Sequence, residues 1–132
     1  MHSGKVLDVD GWGTSDGTNV HQWTDYGNDN QRWYIEDTGS GKYKIEAVHS
    51  GKVLEVDDAK TGDGANVQQW TDSGWDNQRW YIENTGSGKY KVEAVHSGKV
   101  LEVDDAKTSD GANVQQWTDS GWDNQRWYIT AN

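Results

Sequence analysis

The sequence contains no cysteine, no proline and no phenylalanine, and only one methionine. Without cysteine no disulfide supports the fold, and nothing records a redox compartment. No run approaches 18 consecutive apolar residues, so no segment reads as a transmembrane helix. No signal or transit peptide is visible either. Localisation therefore stays unknown, with a secreted or extracellular setting expected if the protein is natural. Basic residues are few, 12 Lys and Arg against 22 Asp and Glu, a formal net charge of -10. Such a surface repels phosphate backbones and anionic headgroups, so nucleic acid and membrane insertion are not expected, and neutral or cationic ligands are favoured. Apolar residues make up 32% of the chain, low enough to leave some chains disordered.

Nine Trp and six Tyr point the other way, because each buried aromatic removes a large apolar area from water. A chain of 132 residues fits one domain, 1–132, and can bury roughly two thirds of its unfolded surface.

Internal repetition organises the chain. The tetrapeptide HSGK begins at His2, His49 and His96, and QRW recurs at Gln31–Trp33, Gln78–Trp80 and Gln125–Trp127. Both recur every 47 residues, defining repeats 2–48, 49–95 and 96–132. Positions 49–82 and 96–129 differ only at Gly62 against Ser109, whereas the first repeat diverges more. Such identity points to recent duplication or to deliberate symmetric design, de novo or engineered.

Each repeat reads as four short strands punctuated by turn residues. In the first repeat they are Lys5–Asp10, Asn19–Thr24, Gln31–Glu36 and Lys42–Val48. Residues alternate in the last three, with His21 and Trp23 opposite Val20 and Gln22, and Tyr43, Ile45 and Ala47 opposite Lys42, Lys44 and Glu46. A period of two sets one group inward and the other toward solvent. No stretch has helical periodicity. Three repeats of four strands predict an all-β threefold architecture; a three-bladed propeller competes, but propellers typically have four or more blades.

The pattern S-G-K-x-L-[DE]-V, then G-x-N-V-x-Q-W, then D-N-Q-R-W, resembles the ricin-B-type lectins and family 13 carbohydrate-binding modules, whose signature is a threefold Q-x-W. The resemblance covers nearly the whole chain. It implies a β-trefoil, with the first and fourth strands of each repeat forming a six-stranded barrel and the second and third forming a hairpin cap. It also implies a sugar site per repeat. Cysteines common in the family are replaced by Val6, Val53 and Val100, and near the second place stand Asp25, Asp72 and Asp119. The third repeat ends Ile129-Thr130-Ala131-Asn132 without a GKYKVEAV segment, so the fourth strand of one repeat is missing. Open sheet edges recruit strands, so a homodimer through the unpaired barrel edge, strand exchange or a frayed barrel is expected.

A sugar needs an aromatic platform for its C–H face and fixed polar groups for its hydroxyls. The resemblance assigns the carboxylate to Asp8, Glu55 and Glu102. It assigns the stacking indole to Trp23, Trp70 and Trp117, with a polar neighbour at His21, Gln68 and Gln115. The remaining pairs are Asn30-Gln31, Asn77-Gln78 and Asn124-Gln125, although the glutamines could equally serve only to satisfy backbone groups. Trp12, Tyr26, Trp75 and Trp122 lie in loops that could wall the pockets. Trp33, Trp80 and Trp127 read as core. The HSGK histidines read as turn residues rather than metal ligands, and Asp16-Gly17, Asp63-Gly64 and Asp110-Gly111 as turns. No metal or cofactor is expected. A calcium site built from the many carboxylates is a lesser alternative, and no EF-hand spacing appears.

These residues point to a multivalent lectin for galactose-type sugars: galactose, lactose or N-acetylgalactosamine. The alternatives are an engineered symmetric scaffold without retained ligand binding, and a xylan-type polysaccharide-binding module of a glycosidase. No nucleophile elbow, phosphate loop or zinc motif supports an enzyme, and no carboxylate pair stands out as acid and base.

Overall fold

The computed structural model describes residues 2–131. The first repeat holds β1 (Val6–Val9), β2 (Val20–Trp23), β3 (Trp33–Gly39) and β4 (Lys42–Ala47). The second holds β5 (Val53–Val56), β6 (Val67–Trp70), β7 (Trp80–Gly86) and β8 (Lys89–Ala94). The third holds β9 (Val100–Val103), β10 (Val114–Trp117) and β11 (Trp127–Tyr128). Short 3-10 turns follow each first strand and precede each third strand. Among the described residues no helix is long and apolar enough to cross a membrane. The expected strands are all present, but the third ones begin later than expected. Gln31 belongs to a turn, its N–H bonded to the Asn28 carbonyl at 2.9 Å.

The fold is all-β and a β-trefoil. First and fourth strands adjoin as the resemblance implies, β4 meeting β5 at Glu46↔Val53 and β8 meeting β9 at Glu93↔Val100; the departure is that the third strands pair with the fourth and not with the second. β3 pairs with β4 from Trp33↔Ala47 onward, β4 meets β7 at Tyr43↔Trp80, β7 pairs with β8, and β8 pairs with β11 at Trp127↔Tyr90. The first and second strands form the hairpins, each with four paired positions, such as Val6↔Trp23 to Val9↔Val20. The physical reason lies in strand length and turn chemistry. β3 and β4 have seven and six residues and are joined by a tight turn in which Gly39, Ser40 and Gly41 all take positive φ, a conformation glycine adopts without steric cost. The second and third strands are separated by a loop and turn, and no ladder joins them among the described residues.

The three second strands meet each other through bridges Asn19↔Gln68, Asn66↔Gln115 and His21↔Asn113. There Asn19 donates to Asn113 at 2.8 Å, Asn113 to Asn66 at 2.7 Å and Asn66 to Asn19 at 2.8 Å, closing a ring of amides.

Valines and leucines of the first and second strands fill the core with Ile45, Ala47, Val92, Ala94, Trp80 and Trp127. The expectation that Trp80 and Trp127 are core holds. Their indole N–H groups donate to the Leu54 and Leu101 carbonyls at 3.0 Å. Trp33 does the same to Leu7 at 3.1 Å but is only partly buried, as Leu7 is. Alternation on β2 is incomplete: Val20, His21 and Gln22 are all buried, because both faces of the strand are covered.

Leu54 is fully buried, so Leu54→Ala is expected to cost roughly 2–5 kcal/mol. Leu7→Ala, at the equivalent but half-exposed position, should cost about half as much or less. Urea denaturation of the two variants side by side checks the difference.

Candidate carbohydrate site

Each candidate site starts from a buried carboxylate at the middle of a first strand. Asp8, Glu55 and Glu102 are 5%, 4% and 4% exposed. Burying a charge is costly unless it is hydrogen-bonded, and each of these is. Asp8 accepts from His21 Nε2 at 2.8 Å, Gln31 Nε2 at 2.9 Å and Asn30 Nδ2 at 3.3 Å. Glu55 accepts from Gln68 at 2.8 Å, Gln78 at 3.1 Å and Asn77 at 3.5 Å. Glu102 accepts from Gln115 at 2.8 Å and Gln125 at 3.0 Å. The longer Glu thus reaches the equivalent strand-two side chain and glutamine, and Glu55 the asparagine as well. A carboxylate offers about four acceptor positions, so each retains some capacity for a hydroxyl. Burial pushes the Glu55 carboxyl above its ordinary 4.5, outweighing the hydrogen bonds from Gln68 and Gln78, and the nearby charges of Asp57 and Asp16 push the same way.

The structure brings the predicted residues of each repeat together but divides their labour. Gln31, Gln78 and Gln125 depart from the expectation that they reach a ligand. Both amide protons of each are used, one on the carboxylate and one on the carbonyl of Thr24, Thr71 or Thr118. Their oxygens accept from the backbone N–H of Tyr26, Ser73 and Ser120 at 2.8 Å. They hold the carboxylate and shape the loop. Asn30, Asn77 and Asn124 also donate to the Val9, Val56 and Val103 carbonyls. Asn30 Oδ1 is buried with no partner among the described residues, which marks an acceptor in the first repeat as unspent.

The indoles are not sealed away. Trp70 is 36% exposed, and Trp23 and Trp117 are half-buried. Trp23 lies beside His21, ring centres 5.4 Å apart. Each indole abuts an Asp-Gly turn of a neighbouring repeat. Gly17, Gly64 and Gly111 have φ near +88, and a Cβ on any of them would sit 3.6 Å from Trp70, Trp117 or Trp23 respectively. The aspartates of those turns accept from the next residue of the strand, as Asp110 does from Thr24 N–H at 2.7 Å. The expected turns are therefore also latches between repeats. Trp12, Tyr26, Trp75 and Trp122 are exposed at 49%, 67%, 62% and 59%, and Trp12 rests edge-on against His49 at 5.9 Å.

Sequence reasoning missed two groups. Gln22, Gln69 and Gln116 are fully buried, and each donates to two carbonyls of a neighbouring repeat, Gln22 to Lys107 and Ser109 at 2.9 Å. Only their occurrence before every strand-two Trp could have signalled them. Asp57 and Asp104 also accept from Gln68 and Gln115 at 3.3 Å. The HSGK histidines tie repeats together through one ring nitrogen each: His2, His49 and His96 donate from Nε2 to the Lys107, Gly13 and Lys60 carbonyls. Among the described residues no group of three or more His, Asp or Glu is placed to hold a metal ion.

A trefoil with three such junctions belongs to a recognisable class of β-trefoil domain. The ricin-type beta-trefoil lectin domain-like family matches residues 1–70 and 76–132, and the chain belongs to that family. The chain is similar to a designed threefold-symmetric protein, ThreeFoil, at 54% identity and TM-score 0.98, covering 99% of this chain and 94% of that one. That likeness supports an engineered origin for the repetition. It is also similar to 1,3Gal43A, an exo-beta-1,3-galactanase from Clostridium thermocellum, at 42% identity and TM-score 0.94, with 96% of this chain matched to 28% of that one. A Macrolepiota procera ricin B-like lectin, solved with lactose, shares the fold at 21% identity and TM-score 0.79, covering 96% of this chain and 86% of that one. A search of curated proteins gives no match.

Asp72 and Asp119 brace the site loops. Burial raises their pKa values, yet hydrogen bonds from Arg79 or Arg126 and from a backbone N–H, with the charges of those arginines and of Lys44 or Lys91, hold both below the ordinary 3.8. A depressed carboxylate stabilises the fold above its unfolded pKa and loses that contribution as pH falls through the folded value. Stability is therefore expected to drop below pH 3.8, and Asp72→Asn with Asp119→Asn should flatten the drop. Glu55 acts oppositely, removing stability as pH rises from 4.5 through its raised value. Urea midpoints measured down to about pH 2 check both limbs.

Proposed function

We propose that the chain is a multivalent, non-catalytic sugar-binding module with one shallow site per repeat, preferring galactose-type sugars. One observation carries the reading: three times over, a partly exposed indole lies two residues along the strand from the side chain that bonds an oriented, buried carboxylate, and each indole abuts a turn of a neighbouring repeat. The indole supplies a face for the sugar ring, and the carboxylate, with His21, Gln68 or Gln115 beside it, supplies acceptors and donors for two hydroxyls. Trp12 and Tyr26 wall the first site, and Trp75 and Trp122 the second and third. The lactose bound by the Macrolepiota procera lectin and the N-acetylgalactosamine bound by an earthworm R-type lectin half support the galactose class. The galactanase likeness keeps a galactan chain in view as a natural ligand over a xylan.

The first site differs from the others. It has Asp8 with His21 where they have Glu with Gln. It is expected to be the tightest of the three for a monosaccharide. A shallow site of this size binds near millimolar, about -4 kcal/mol, and three on one rigid body gain by avidity on a polysaccharide.

Titration of lactose, N-acetylgalactosamine and xylotriose, followed by calorimetry and amide chemical shifts, tests the reading. Saturable lactose binding should fall at least tenfold in the combined variant Trp23→Ala, Trp70→Ala, Trp117→Ala while the fold is retained. A chain that leaves its indole and site amide shifts unmoved at about a hundred times millimolar sugar is instead a symmetric scaffold.

A further inference from the structure

Four Asp-Gly pairs occur in the chain, and three of them are the latching turns Asp16-Gly17, Asp63-Gly64 and Asp110-Gly111. The fourth, Asp10-Gly11, follows β1 and exists only in the first repeat; Asp57-Asp58 and Asp104-Asp105 stand at the same place in the others. An aspartate followed by glycine can react with its own backbone. The glycine nitrogen attacks the side-chain carboxyl carbon, and the missing Cβ of glycine leaves that approach open. In a folded chain both groups must first be free to meet.

In the three turns neither group is free. The Gly17, Gly64 and Gly111 N–H groups donate to the Gln69, Gln116 and Gln22 carbonyls of a neighbouring repeat at 2.9, 2.8 and 2.9 Å. Each carboxylate accepts from a threonine backbone N–H at 2.7 Å and from the same threonine's hydroxyl at 2.8 Å: Asp16 from Thr71, Asp63 from Thr118 and Asp110 from Thr24. At Asp10-Gly11 both groups are loose. Among the described residues the Asp10 carboxylate meets no hydrogen-bond donor and no cation, and the Gly11 N–H donates to no side chain and to no other segment. Both residues are exposed, and nothing lies within 4 Å of where a Cβ on Gly11 would stand. The counterparts explain the difference. Asp57 and Asp104 accept from Gln68 and Gln115 at 3.3 Å and pair with Lys60 and Lys107 at 3.6 and 3.7 Å. In the first repeat His21 stands in place of the glutamine and turns its Nε2 to Asp8 at 2.8 Å, and Gly13 stands in place of the lysine. The repeat with a glycine after this aspartate is also the repeat without either restraint.

We propose that Asp10-Gly11 is a self-modification site, at which Asp10 converts to isoaspartate through a cyclic imide while the other three Asp-Gly pairs stay intact in the folded chain. In the first step the Gly11 nitrogen bonds to the Asp10 Cγ, and the carboxyl hydroxyl leaves as water with the Gly11 amide proton. In the second, solvent water adds to the ring. Opening at the side-chain carbonyl restores Asp10. Opening at the main-chain carbonyl leaves the backbone running through Cβ and Cγ, with the former main-chain carbonyl as a free carboxylate. One water leaves and one returns, so the product keeps the mass of the starting chain, and nothing besides solvent takes part. The consequence falls on Trp12. The main chain before it becomes one atom longer, and the Asp10 carbonyl that closes the turn by accepting from Gly13 N–H at 3.0 Å is the one that becomes the carboxylate. Trp12, held at φ +60 with its indole edge-on to His49 at 5.9 Å, loses its seat. The change needs no ligand, so it stands apart from sugar binding.

The test ages the full chain in neutral buffer at body temperature for several weeks, beside a sample unfolded in guanidinium chloride. Digestion and electron-based fragmentation in a mass spectrometer separate isoaspartate from aspartate by the backbone bond that breaks. The folded chain should form isoaspartate at position 10 at least about tenfold faster than at 16, 63 or 110, since each of those must first release hydrogen bonds on both reacting groups. The unfolded chain should form it at all four pairs at similar rates. The Trp12 indole N–H resonance should move in the aged, folded fraction. Gly11→Asp matches the other repeats, where Asp58 and Asp105 carry a side chain at φ 53 without disturbing the turn, and it should slow the reaction at position 10 at least about tenfold by placing a Cβ beside the attacking nitrogen. Folded chain free of isoaspartate at position 10 while unfolded chain carries it, equal rates at all four pairs in the folded chain, or a Gly11→Asp variant that reacts as fast as the parent would each overturn the proposal.

Discussion

Gln22, Gln69 and Gln116 hold the molecule together, each spending both amide protons on carbonyls of an adjacent repeat. Their oxygens accept in turn from Ser3, Ser50 and Ser97 at 2.8 Å, so no polar atom of these buried side chains is left in debt. The direction is cyclic: the first repeat grips the loop of the third, the second that of the first, and the third that of the second. The HSGK histidines run the same circuit. A four-residue strand buried on both faces is thereby secured without a disulfide, in a chain that has no cysteine.

The same circuit builds the sites. An indole of one repeat faces the Asp-Gly turn of its neighbour, and the turn keeps its place because the buried glutamine holds the carbonyls just before it. Glycine is favoured there by its positive φ, near +88 in all three turns, a conformation that other residues adopt only under strain. Inside the repeat, Gln31, Gln78 and Gln125, in the turns before the third strands, aim the carboxylate. The accessible groups of the site therefore rest on a shell of groups with nothing left to give a ligand, which is how a shallow site can keep a fixed geometry at low cost to binding.

Much of this was legible in the sequence, and the limits have physical causes. The 47-residue period follows from motifs repeated at one spacing, and the trefoil and the grouping of Asp8 with His21, Trp23 and Asn30 from the resemblance those motifs carry to the ricin-B-type lectins. Alternation gave the faces of the third and fourth strands correctly, since those strands are long and half-exposed. It could not say which strands neighbour each other, so the third strands were expected beside the second, whereas they pair with the fourth. It also failed on β2, where a period of two is blurred by burial on both sides. Gln31 and Gln22 look alike as letters. Only coordinates separate an amide that points a carboxylate from one that fastens a loop.

The ring of Asn19, Asn66 and Asn113 has a consequence for how such a chain can change. Each amide is donor to one copy and acceptor from another, so altering any single member orphans groups on both of the others. Drift at this position must be concerted or forbidden, whereas loop residues such as Trp12 and Ala59 can part company freely. A molecule fastened on its axis by a homotypic ring therefore carries a brake on divergence at its centre, and its individuality collects at the periphery.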